Sequence, residues 1–259
     1  MKPNVLITGA SAGIGHELAK LFAADGYGLA LIARDEKRLG KLAEELRAQH
    51  KIAVRVVTKD LSKPGAAKEV FDALKDFPIS ILVNNAGSGV YGVFVETKLE
   101  AEIQMLHLNM LALVELTKLF LQPMLARREG KILNVGSVAA FQPVPKQALY
   151  AATKAFVYSF SNALALELEG SGVSVTTLSP GTTATEFHVR SGVQRRKVFR
   201  SGVFKATSAQ TVAQVGYRAL MTNQTNVVPG LMNKLMAGVS KRLPPGITGR
   251  LAAKLNQSR

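Results

Sequence analysis

The chain has 259 residues, 47% of them hydrophobic, and no cysteine. This length and composition are typical of a globular protein of one or two domains, and they exclude a disulfide framework, thiolate chemistry and a disordered or fibrous chain. The net charge of +15 is uneven, because Glu186 is the last acidic residue and 13 Lys and Arg residues follow it. No uninterrupted apolar stretch approaches the roughly 18 residues of a spanning helix, so none is expected.

Short apolar segments alternate with helical patterns over the first two thirds of the chain. The predicted strands are Val5–Thr8, Gly28–Ala33, Ile52–Thr58, Ile79–Asn84, Lys131–Gly136 and Val173–Leu178. The predicted helices are Gly13–Asp25, Glu36–Gln49, Lys63–Lys75, Glu100–Ala126 and Gln147–Glu169. This alternation predicts an α/β fold, a Rossmann-type doubly wound parallel sheet of about seven strands with helices on both faces, in a single domain.

The pattern changes after Pro180-Gly181. Residues 185–206 are polar and basic and are predicted to leave the sheet. A helix over Ser208–Met221 and a last short strand over Thr225–Val228 follow. Residues 231–259 are predicted to form a basic helical extension, with helices over Leu231–Leu243 and Ile247–Leu255 that are separated by Pro244-Pro245-Gly246.

A glycine-rich turn follows the first predicted strand, with the sequence Thr8-Gly9-Ala10-Ser11-Ala12-Gly13-Ile14-Gly15. Glycines permit a tight turn and a close approach of the backbone, and the N-terminus of the next helix offers free N–H groups to a pyrophosphate. The turn therefore predicts nucleotide binding, since it lies in the first strand–turn–helix unit of a doubly wound sheet. A simple strand-to-helix turn is the alternative.

Tyr150 and Lys154 are four residues apart, so in a helix their side chains lie on one face, about one turn apart. An ammonium near a phenol favours the phenolate and lowers the tyrosine pKa from its usual value near ~10. Such a phenol can exchange a proton near neutral pH, as the interconversion of an alcohol and a ketone requires. The alternative is an ordinary pair of surface side chains, and the other motifs along the chain distinguish between the two interpretations.

Further motifs accompany this pair along the chain: Thr8-Gly9-x3-Gly13-x-Gly15, Asp60-Leu61, Asn84-Asn85-Ala86-Gly87, Asn109, Ser137, and Pro180-Gly181-x3-Thr185. With them the chain resembles the short-chain dehydrogenase/reductase family, of the classical type with a Ser-Tyr-x-x-x-Lys active site. The resemblance covers about residues 4 to 186. It implies an oxidoreductase that acts on a small carbonyl or alcohol substrate.

The resemblance implies four catalytic residues. Tyr150 would be the general acid/base, and Lys154 would lower its pKa and bond the nicotinamide ribose. Ser137 would hydrogen-bond the substrate oxygen and steady the developing alkoxide. Asn109 would hold a water that links Lys154 to solvent.

The resemblance also implies a set of cofactor contacts, among which Asp60 would bond the adenine amino group and Thr185 would reach the nicotinamide end. With Arg34 added on the grounds of its charge, the expected cofactor residues are Gly9, Ser11, Gly13, Ile14, Gly15, Arg34, Asp60, Leu61, Asn85, Ala86, Gly87, Tyr150, Lys154, Pro180, Gly181 and Thr185.

The end of the second predicted strand favours NADP(H) over NAD(H). A carboxylate at this position would bond both ribose hydroxyls of NAD and repel the extra phosphate of NADP, but the chain has Ala33 followed by Arg34. A guanidinium suits a 2′-phosphate through charge-assisted hydrogen bonds. Asp35 could point toward the ribose or away from it, and NAD(H) stays open as the alternative.

Residues 185–206 would cover the substrate in this family, and here they mix cations with apolar residues. The cations are Arg190, Arg195, Arg196, Lys197, Arg200 and Lys205. The mixture suits a substrate with an apolar body and an anionic head, such as a fatty acyl thioester, while the neighbouring glycine-rich run 87–92 resembles the branch with steroid and long-chain acyl reductases. A solvated loop without such a role is the alternative.

The C-terminal extension carries an apolar helical face, made of Leu231, Met232, Leu235, Met236, Val239 and Leu243. A basic helix of this kind can rest on an anionic membrane, cap the substrate pocket or pack on a partner subunit, and these alternatives stay open. The resemblance also implies a homodimer or homotetramer that pairs the two long helices. We expect a cytoplasmic location, with peripheral contact at a membrane surface as an option.

The rival to the enzyme is a non-catalytic NADP(H)-binding sensor or scaffold on the same fold. The intact set of Ser137, Tyr150 and Lys154 argues against it. Nucleic acid is not an expected partner, because no helix-turn-helix, zinc-ligand or single-strand-binding signature accompanies the positive charge. No metal site is expected, because the four histidines lack the spacing of metal ligands.

Overall fold

Nine strands are present in this computed structural model, which describes residues 2–187, 191, 206–240 and 242–255. They are β1 Asn4–Thr8, β2 Gly28–Ala33, β3 Val54–Thr58, β4 Ile79–Asn84, β5 Gly130–Val135, β6 Val173–Leu178, β7 Thr183–Ala184, β8 Thr207–Ser208 and β9 Asn226–Val227. Seven of them form one parallel sheet in the order β3-β2-β1-β4-β5-β6-β9. The predicted doubly wound, single-domain fold is therefore confirmed.

Helices cover both faces of this sheet. They are α1 Gly13–Ala24, α2 Glu36–His50, α3 Ala66–Ala73, α4 Leu99–Leu106, α5 Ala112–Arg127, α6 Ala148–Glu167, α7 Ala209–Met221, α8 Leu231–Ser240 and α9 Pro245–Leu255. Successive side chains of a strand point to opposite faces, so Val5 and Ile7 join a core with α1, α2 and α7, while Leu6 joins a second core with α3, α5 and α6. Each such buried side chain stabilises the fold by about 1.5–3 kcal/mol.

The strand order places the functional end of the sheet. The chain proceeds from β1 through β2 to β3 on one side, then crosses to β4 on the other side of β1. At such a reversal the connections that leave the carboxyl ends of neighbouring strands diverge and open a crevice, where ligands of these folds bind. The segments after β1, β4, β5 and β6 all meet there.

Three predicted elements begin two or three residues away from the predicted start. The third helix begins at Ala66 and not at Lys63, because Gly65 has a φ of +80°, a left-handed conformation that interrupts a helix. The last helix begins at Pro245 and not after it, since proline fits the first turn of a helix. The third strand begins at Val54 rather than Ile52.

The long helix predicted over Glu100–Ala126 consists of three parts. A π-helical turn, His107–Leu111, joins α4 to α5, so one extra residue is accommodated there. The whole run, Leu99–Arg127, is the one helix in the described part of the chain that is long and apolar enough to cross a membrane. Its buried side chains, such as Leu116 and Phe120, belong to the core against the sheet, as expected for the core helix of a globular domain.

The segment predicted to leave the sheet has its two ends joined. β7 and β8 pair in parallel, with Thr183 opposite Thr207 and Ala184 opposite Ser208. The chain therefore departs after β7 and returns at β8 through one narrow neck. The cations predicted to lie over the substrate, such as Arg195 and Arg200, are outside the described residues.

Candidate active site

A cleft of about 790 Å³ opens at the carboxyl ends of the central strands. Most of the predicted site residues line it: Gly9, Ser11, Gly13, Ile14, Arg34, Asn85, Ala86, Gly87, Ser137, Tyr150, Lys154, Pro180, Gly181 and Thr185. Four others do not lie in its wall, namely Gly15, Asp60, Leu61 and Asn109. Residues that are distant in the sequence thus meet in a single cavity.

The glycine turn between β1 and α1 forms one end of the cleft. Gly9 and Gly13 both have left-handed φ values, +67° and +60°, which side chains rarely adopt. The N-cap residue of α1 is Ala12, whose methyl group cannot accept a hydrogen bond. The first N–H groups of this helix are therefore left for a ligand, and an uncapped helix N-terminus suits a phosphate.

Asn85 holds this turn in place from β4. Its side chain donates to the carbonyl oxygens of Thr8 and Gly9, at 2.8 and 3.2 Å. A Cβ atom on Gly15 would stand only 2.5 Å from the Asn85 amide nitrogen and 2.5 Å from the Gly9 oxygen. Gly15 is thus needed for packing behind the turn, which explains why it lies outside the wall of the cleft.

The charged residues after β2 have distinct roles. Arg34 lines the cleft, is largely exposed, and lies 4.0 Å from the Asp60 carboxylate. Asp35 caps α2 by accepting the Arg38 N–H at 3.0 Å, and it also pairs with the Arg38 guanidinium at 3.2 Å. Of the two orientations left open for Asp35, the structure has the carboxylate turned to the helix. Arg38 is further held by Glu186, at 2.7 Å.

Asp60 faces a neighbouring serine. Its carboxylate accepts the backbone N–H and the hydroxyl of Ser62, at 3.0 and 2.8 Å. Burial favours the neutral acid, but the Ser62 hydrogen bonds and the nearby charges of Arg34 and Lys63 together lower the Asp60 pKa. The acid is therefore ionised at neutral pH. Leu61 is buried in the core, so only its backbone could reach a cofactor.

Ser137, Tyr150 and Lys154 line the middle of the cleft. Ser137 caps a short 3-10 turn, Val138–Phe141, by accepting the Ala139 N–H at 3.1 Å. Tyr150 and Lys154 are in the first two turns of α6, as their spacing predicted, and the Lys154 ammonium lies 5.9 Å from the centre of the Tyr150 ring. The arrangement brings a hydroxyl, a phenol and an ammonium to one wall.

Lys154 is buried, and its environment disfavours its charge. The ammonium donates to the Val135 carbonyl oxygen at 2.8 Å, and no carboxylate forms an ion pair with it among the described residues. Burial lowers the Lys154 pKa from 10.5 to about 8. The lysine thus releases its proton more readily than an ordinary lysine does.

Asn109 lies in the π-helical turn, beneath the cleft. Its amide oxygen accepts the Ser88 N–H at 2.9 Å, and its amide nitrogen donates to the Ser88 oxygen at 3.0 Å and to the Thr153 hydroxyl at 3.1 Å. A Cβ atom on Gly87 would be 3.3 Å from the Asn109 oxygen and 3.7 Å from the Lys154 ammonium. The Asn109 and Lys154 side chains therefore both approach Gly87, as the predicted water-mediated link between them requires.

Aromatic and small residues shape the other end of the cleft. The Phe187 ring lies 5.7 Å from the Tyr150 ring, centre to centre. A Cβ atom on Gly89 would be 3.0 Å from the tip of Phe187 and 3.2 Å from Ser191. At the opposite side, Thr185 lies against Gly13, since a Cβ atom on Gly13 would be 3.0 Å from the threonine methyl group. The chain after β7 thus covers both the glycine turn and the tyrosine.

The C-terminal extension contributes residues that the sequence patterns did not indicate. Asn233 and Met236 of α8 and Ala252 of α9 line the cleft, as do Gln142 and Gln147 from the segments around α6. Asn233 lies so close to Gly181 that a Cβ atom on the glycine would be 2.5 Å from its amide group. Because Met236 lines the cleft, it points inward and not onto the exposed apolar face on which it was predicted. The cap over the pocket was one of the three alternatives for this extension.

Comparison with known proteins identifies the class. The family described as short chain dehydrogenase matches residues 3–195. A short-chain dehydrogenase from Sphingobium yanoikuyae, solved in complex with NADPH, is similar with a TM-score of 0.83 and 32% identity, covering 94% of this chain and 97% of that one. The chain belongs to the short-chain dehydrogenase/reductase family.

Two curated relatives indicate the range of substrates in this neighbourhood of the family. The 17-beta-hydroxysteroid dehydrogenase type 3 of Mus musculus is 36% identical over 183 residues, which are 70% of this chain and 60% of the relative. The chain thus spans about 60% of that relative's length. The very-long-chain 3-oxoacyl-CoA reductase of Anas platyrhynchos is 30% identical over 261 residues, 97% of this chain and 79% of the relative.

Proposed function

We propose that the protein is an NADP(H)-dependent oxidoreductase that interconverts a carbonyl and an alcohol. The observation that carries the proposal is the convergence of Ser137, Tyr150 and Lys154 on the wall of the cleft that begins at the glycine turn. A bound nicotinamide would supply or accept the hydride. Tyr150 would exchange the proton with the substrate oxygen, and Ser137 would donate a hydrogen bond to that oxygen.

Lys154 would support the proton exchange at Tyr150. Its ammonium, held by the Val135 carbonyl oxygen, would favour the phenolate and bond the ribose. Asn109 anchors the loop at Ser88 beside this group, and we retain for it the role of holding a water between Lys154 and solvent. The proton would then leave the site without crossing the substrate end of the cleft.

The preference for NADP(H) rests on Arg34. It lines the cleft with a largely exposed guanidinium, while the neighbouring Asp35 carboxylate is engaged as the N-cap of α2. An exposed positive charge beside a carboxylate that is turned to the helix favours a 2′-phosphate, and the Asp60 carboxylate is only in loose contact with it, at 4.0 Å. The NADPH complex of the Sphingobium yanoikuyae relative supports a nicotinamide cofactor in this fold.

The cofactor preference is tested by measuring KM for NADPH and NADH. Charge-assisted hydrogen bonds are worth about 1.5–3 kcal/mol, so Arg34→Ala should raise KM for NADPH by roughly 10- to 100-fold and leave KM for NADH nearly unchanged. The matched control is Lys37→Ala, an exposed cation of α2 that does not line the cleft. A wild-type preference for NADH that Arg34→Ala does not alter would contradict the assignment.

We further propose an apolar substrate, either a steroid-like ketone or a long-chain acyl thioester. The substrate end of the cleft is lined by side chains with large apolar surfaces: Val90, Tyr91, Leu108, Val138, Val144, Phe187 and Met236. The names of the two curated relatives point to the same two classes. Turnover on a panel of steroid ketones, acyl thioesters and small polar ketones tests this, and exclusive use of the polar ketones would contradict it.

The enzyme and the non-catalytic sensor are separated by Tyr150→Phe. We expect the wild type to oxidise NADPH with a carbonyl substrate and the variant to lose about 10²- to 10⁴-fold in kcat, the range of a general acid. Both should bind NADPH equally, as measured by fluorescence titration. Equal binding with no turnover in either protein would favour the sensor.

For the assembly, we propose a cytoplasmic homodimer or homotetramer that pairs the α4–α5 run and α6. Leu99, Ile103 and Leu111 of the first and Leu166 of the second are large apolar side chains that the single chain leaves exposed. Sedimentation velocity distinguishes the two assemblies from a monomer. Ile103→Glu should shift the mass toward the monomer if this pairing is right.

A further inference from the structure

The surface of α8 and α9 concentrates exposed apolar side chains. Half of the large apolar side chains that are exposed in the described residues lie in this short stretch: Leu231, Met232, Leu235, Val239, Leu243, Ile247 and Leu251, with exposed fractions of 41% to 74%. We call them the C-terminal apolar face. A concentration of this kind indicates an interaction surface, since single exposed apolar residues are scattered on ordinary surfaces.

This face is not used by the fold or by the cleft. On α8, Ala237 is buried and Asn233 and Met236 line the cleft, whereas Leu231 and Leu235 point outward. The same division holds on α9, where Thr248 and Ala252 are buried and the residues one position earlier, Ile247 and Leu251, are exposed. Each helix thus packs one side on the domain, while its apolar outer side is exposed among the residues that the structure describes.

The charges around the face select its partner. Lys234, Arg242 and Arg250 are exposed beside it, and the chain has no acidic residue after Glu186. An apolar stripe whose own helices carry cations and no carboxylate matches the boundary between headgroups and acyl chains in an anionic bilayer. A second copy of the chain would bring the same cations against each other across a two-fold axis, which costs free energy.

We propose that the C-terminal apolar face docks on the surface of an anionic phospholipid bilayer. Leu235 and Leu251 enter the acyl boundary, and Arg242 and Arg250 contact the phosphates. The bilayer then adjoins the part of the cleft that Asn233 and Met236 line.

The test measures binding of the full chain to vesicles by co-sedimentation, with phosphatidylcholine alone or with phosphatidylcholine and phosphatidylglycerol. Binding to the mixed vesicles should exceed binding to the neutral ones and should weaken with salt. The double variant Leu235→Glu/Leu251→Glu should bind mixed vesicles at least about tenfold more weakly, because two apolar side chains that enter the bilayer are replaced by anions. The matched control is Val95→Glu, which changes an even more exposed apolar residue elsewhere and should bind as the wild type does.

A second variant, Arg242→Gln/Arg250→Gln, tests the charges alone. Each cation near an anionic surface is worth about a fivefold change in affinity, so the loss should be roughly 25-fold on mixed vesicles and absent on neutral ones. Thermal melting and sedimentation velocity verify that each variant is folded and has the wild-type mass. Vesicle binding needs neither cofactor nor substrate, so its outcome is independent of the proposed activity.

Three results would overturn the proposal. The first is equal binding of the wild type to mixed and neutral vesicles. The second is equal binding of the leucine double variant and Val95→Glu, which would place the contact elsewhere. The third is a leucine double variant whose mass falls while its vesicle binding is unchanged, which would make the face an interface between copies of this chain.

Discussion

Replacing Lys154 with methionine is expected to stabilise the folded protein while it removes the activity. The two effects have opposite signs because burying the ammonium destabilises the folded protein, whereas its charge assists proton transfer at Tyr150. Methionine has a similar length and no charge, so it fills the space without the penalty. A residue with only a structural role would not separate stability from turnover in this way.

The magnitude follows from the lowered pKa. Burial moves the Lys154 pKa from 10.5 in the unfolded chain to about 8 in the folded one. Below pH 8 the folded protein therefore carries the full cost of a buried ammonium, about 3 kcal/mol at 1.36 kcal/mol per pKa unit. Losing the hydrogen bond to Val135 offsets about 1 kcal/mol of the gain. The variant should thus be more stable by about 2 kcal/mol at pH 7, a Tm higher by about 5 °C.

The same pKa shift makes the stability depend on pH. Between pH 8 and 10.5 the folded protein binds fewer protons at this site than the unfolded chain does, so wild-type stability should rise with pH through this window. The advantage of Lys154→Met should therefore shrink as the pH approaches 10.5. Urea unfolding at pH 7, 8.5 and 10 measures both trends, and NADPH turnover at pH 7 measures the activity.

The matched control is Lys41→Met, which replaces an exposed lysine of α2. It should leave stability within about 0.5 kcal/mol and turnover at the wild-type level. Two results would contradict this prediction: a Lys154→Met variant that is destabilised at pH 7, or a stability difference from the wild type that is the same at pH 7 and 10. Either result would mean that the buried ammonium is compensated in the folded protein.

Three further substitutions test the frame of the cleft. Gly15→Ala should lower the free energy of unfolding by about 1–3 kcal/mol, as measured in urea, and weaken NADPH binding at least about tenfold, because the new methyl group meets Asn85 and the Gly9 carbonyl. The control Gly40→Ala, with open space around the glycine, should instead raise the free energy of unfolding by about 0.5–1 kcal/mol. Asn109→Ala should cost about 1–3 kcal/mol by the same measurement, since the part-buried Ser88 N–H loses its acceptor. A cost below about 1 kcal/mol would contradict that account. Gly89→Ala should raise KM several-fold for bulky ketones with unchanged NADPH affinity, because Phe187 and Ser191 must move; a change in NADPH affinity alone would place the effect elsewhere.

Periodicity and motif spacing predicted the sheet and the glycine turn because both depend on local sequence. Val5–Thr8 reads as a buried strand, and glycine is required where φ is positive, as at Gly9 and Gly13. The spacing of Tyr150 and Lys154 likewise predicted one face of a helix.

The remaining features depend on contacts between distant segments. The π-helical turn has no signature in residues 107–111, since it accommodates one extra residue between two packed helices. Asn233 meets Gly181 only because α8 folds back over the cleft, and the inward turn of Met236 follows from the same packing. The burial that lowers the Lys154 pKa is also a tertiary property. The sequence predicted that the lysine would lower the tyrosine pKa, but it did not predict that burial in the folded protein would lower the pKa of the lysine itself.

The pairing of β7 with β8 has a consequence for how such a chain can diversify. Paired strands hold Ala184 and Ser208 about 5 Å apart, so everything between them is inserted through a single neck. Doubling the length of such an insertion costs only about 0.6 kcal/mol in closure entropy. Residues 185–187 contact the glycine turn, α2 and the tyrosine, so an exchange that keeps them and replaces only residues 188–205 leaves the sheet and the glycine turn untouched. Grafting that part from a relative then becomes a route to new substrate selectivity on an unchanged catalytic frame.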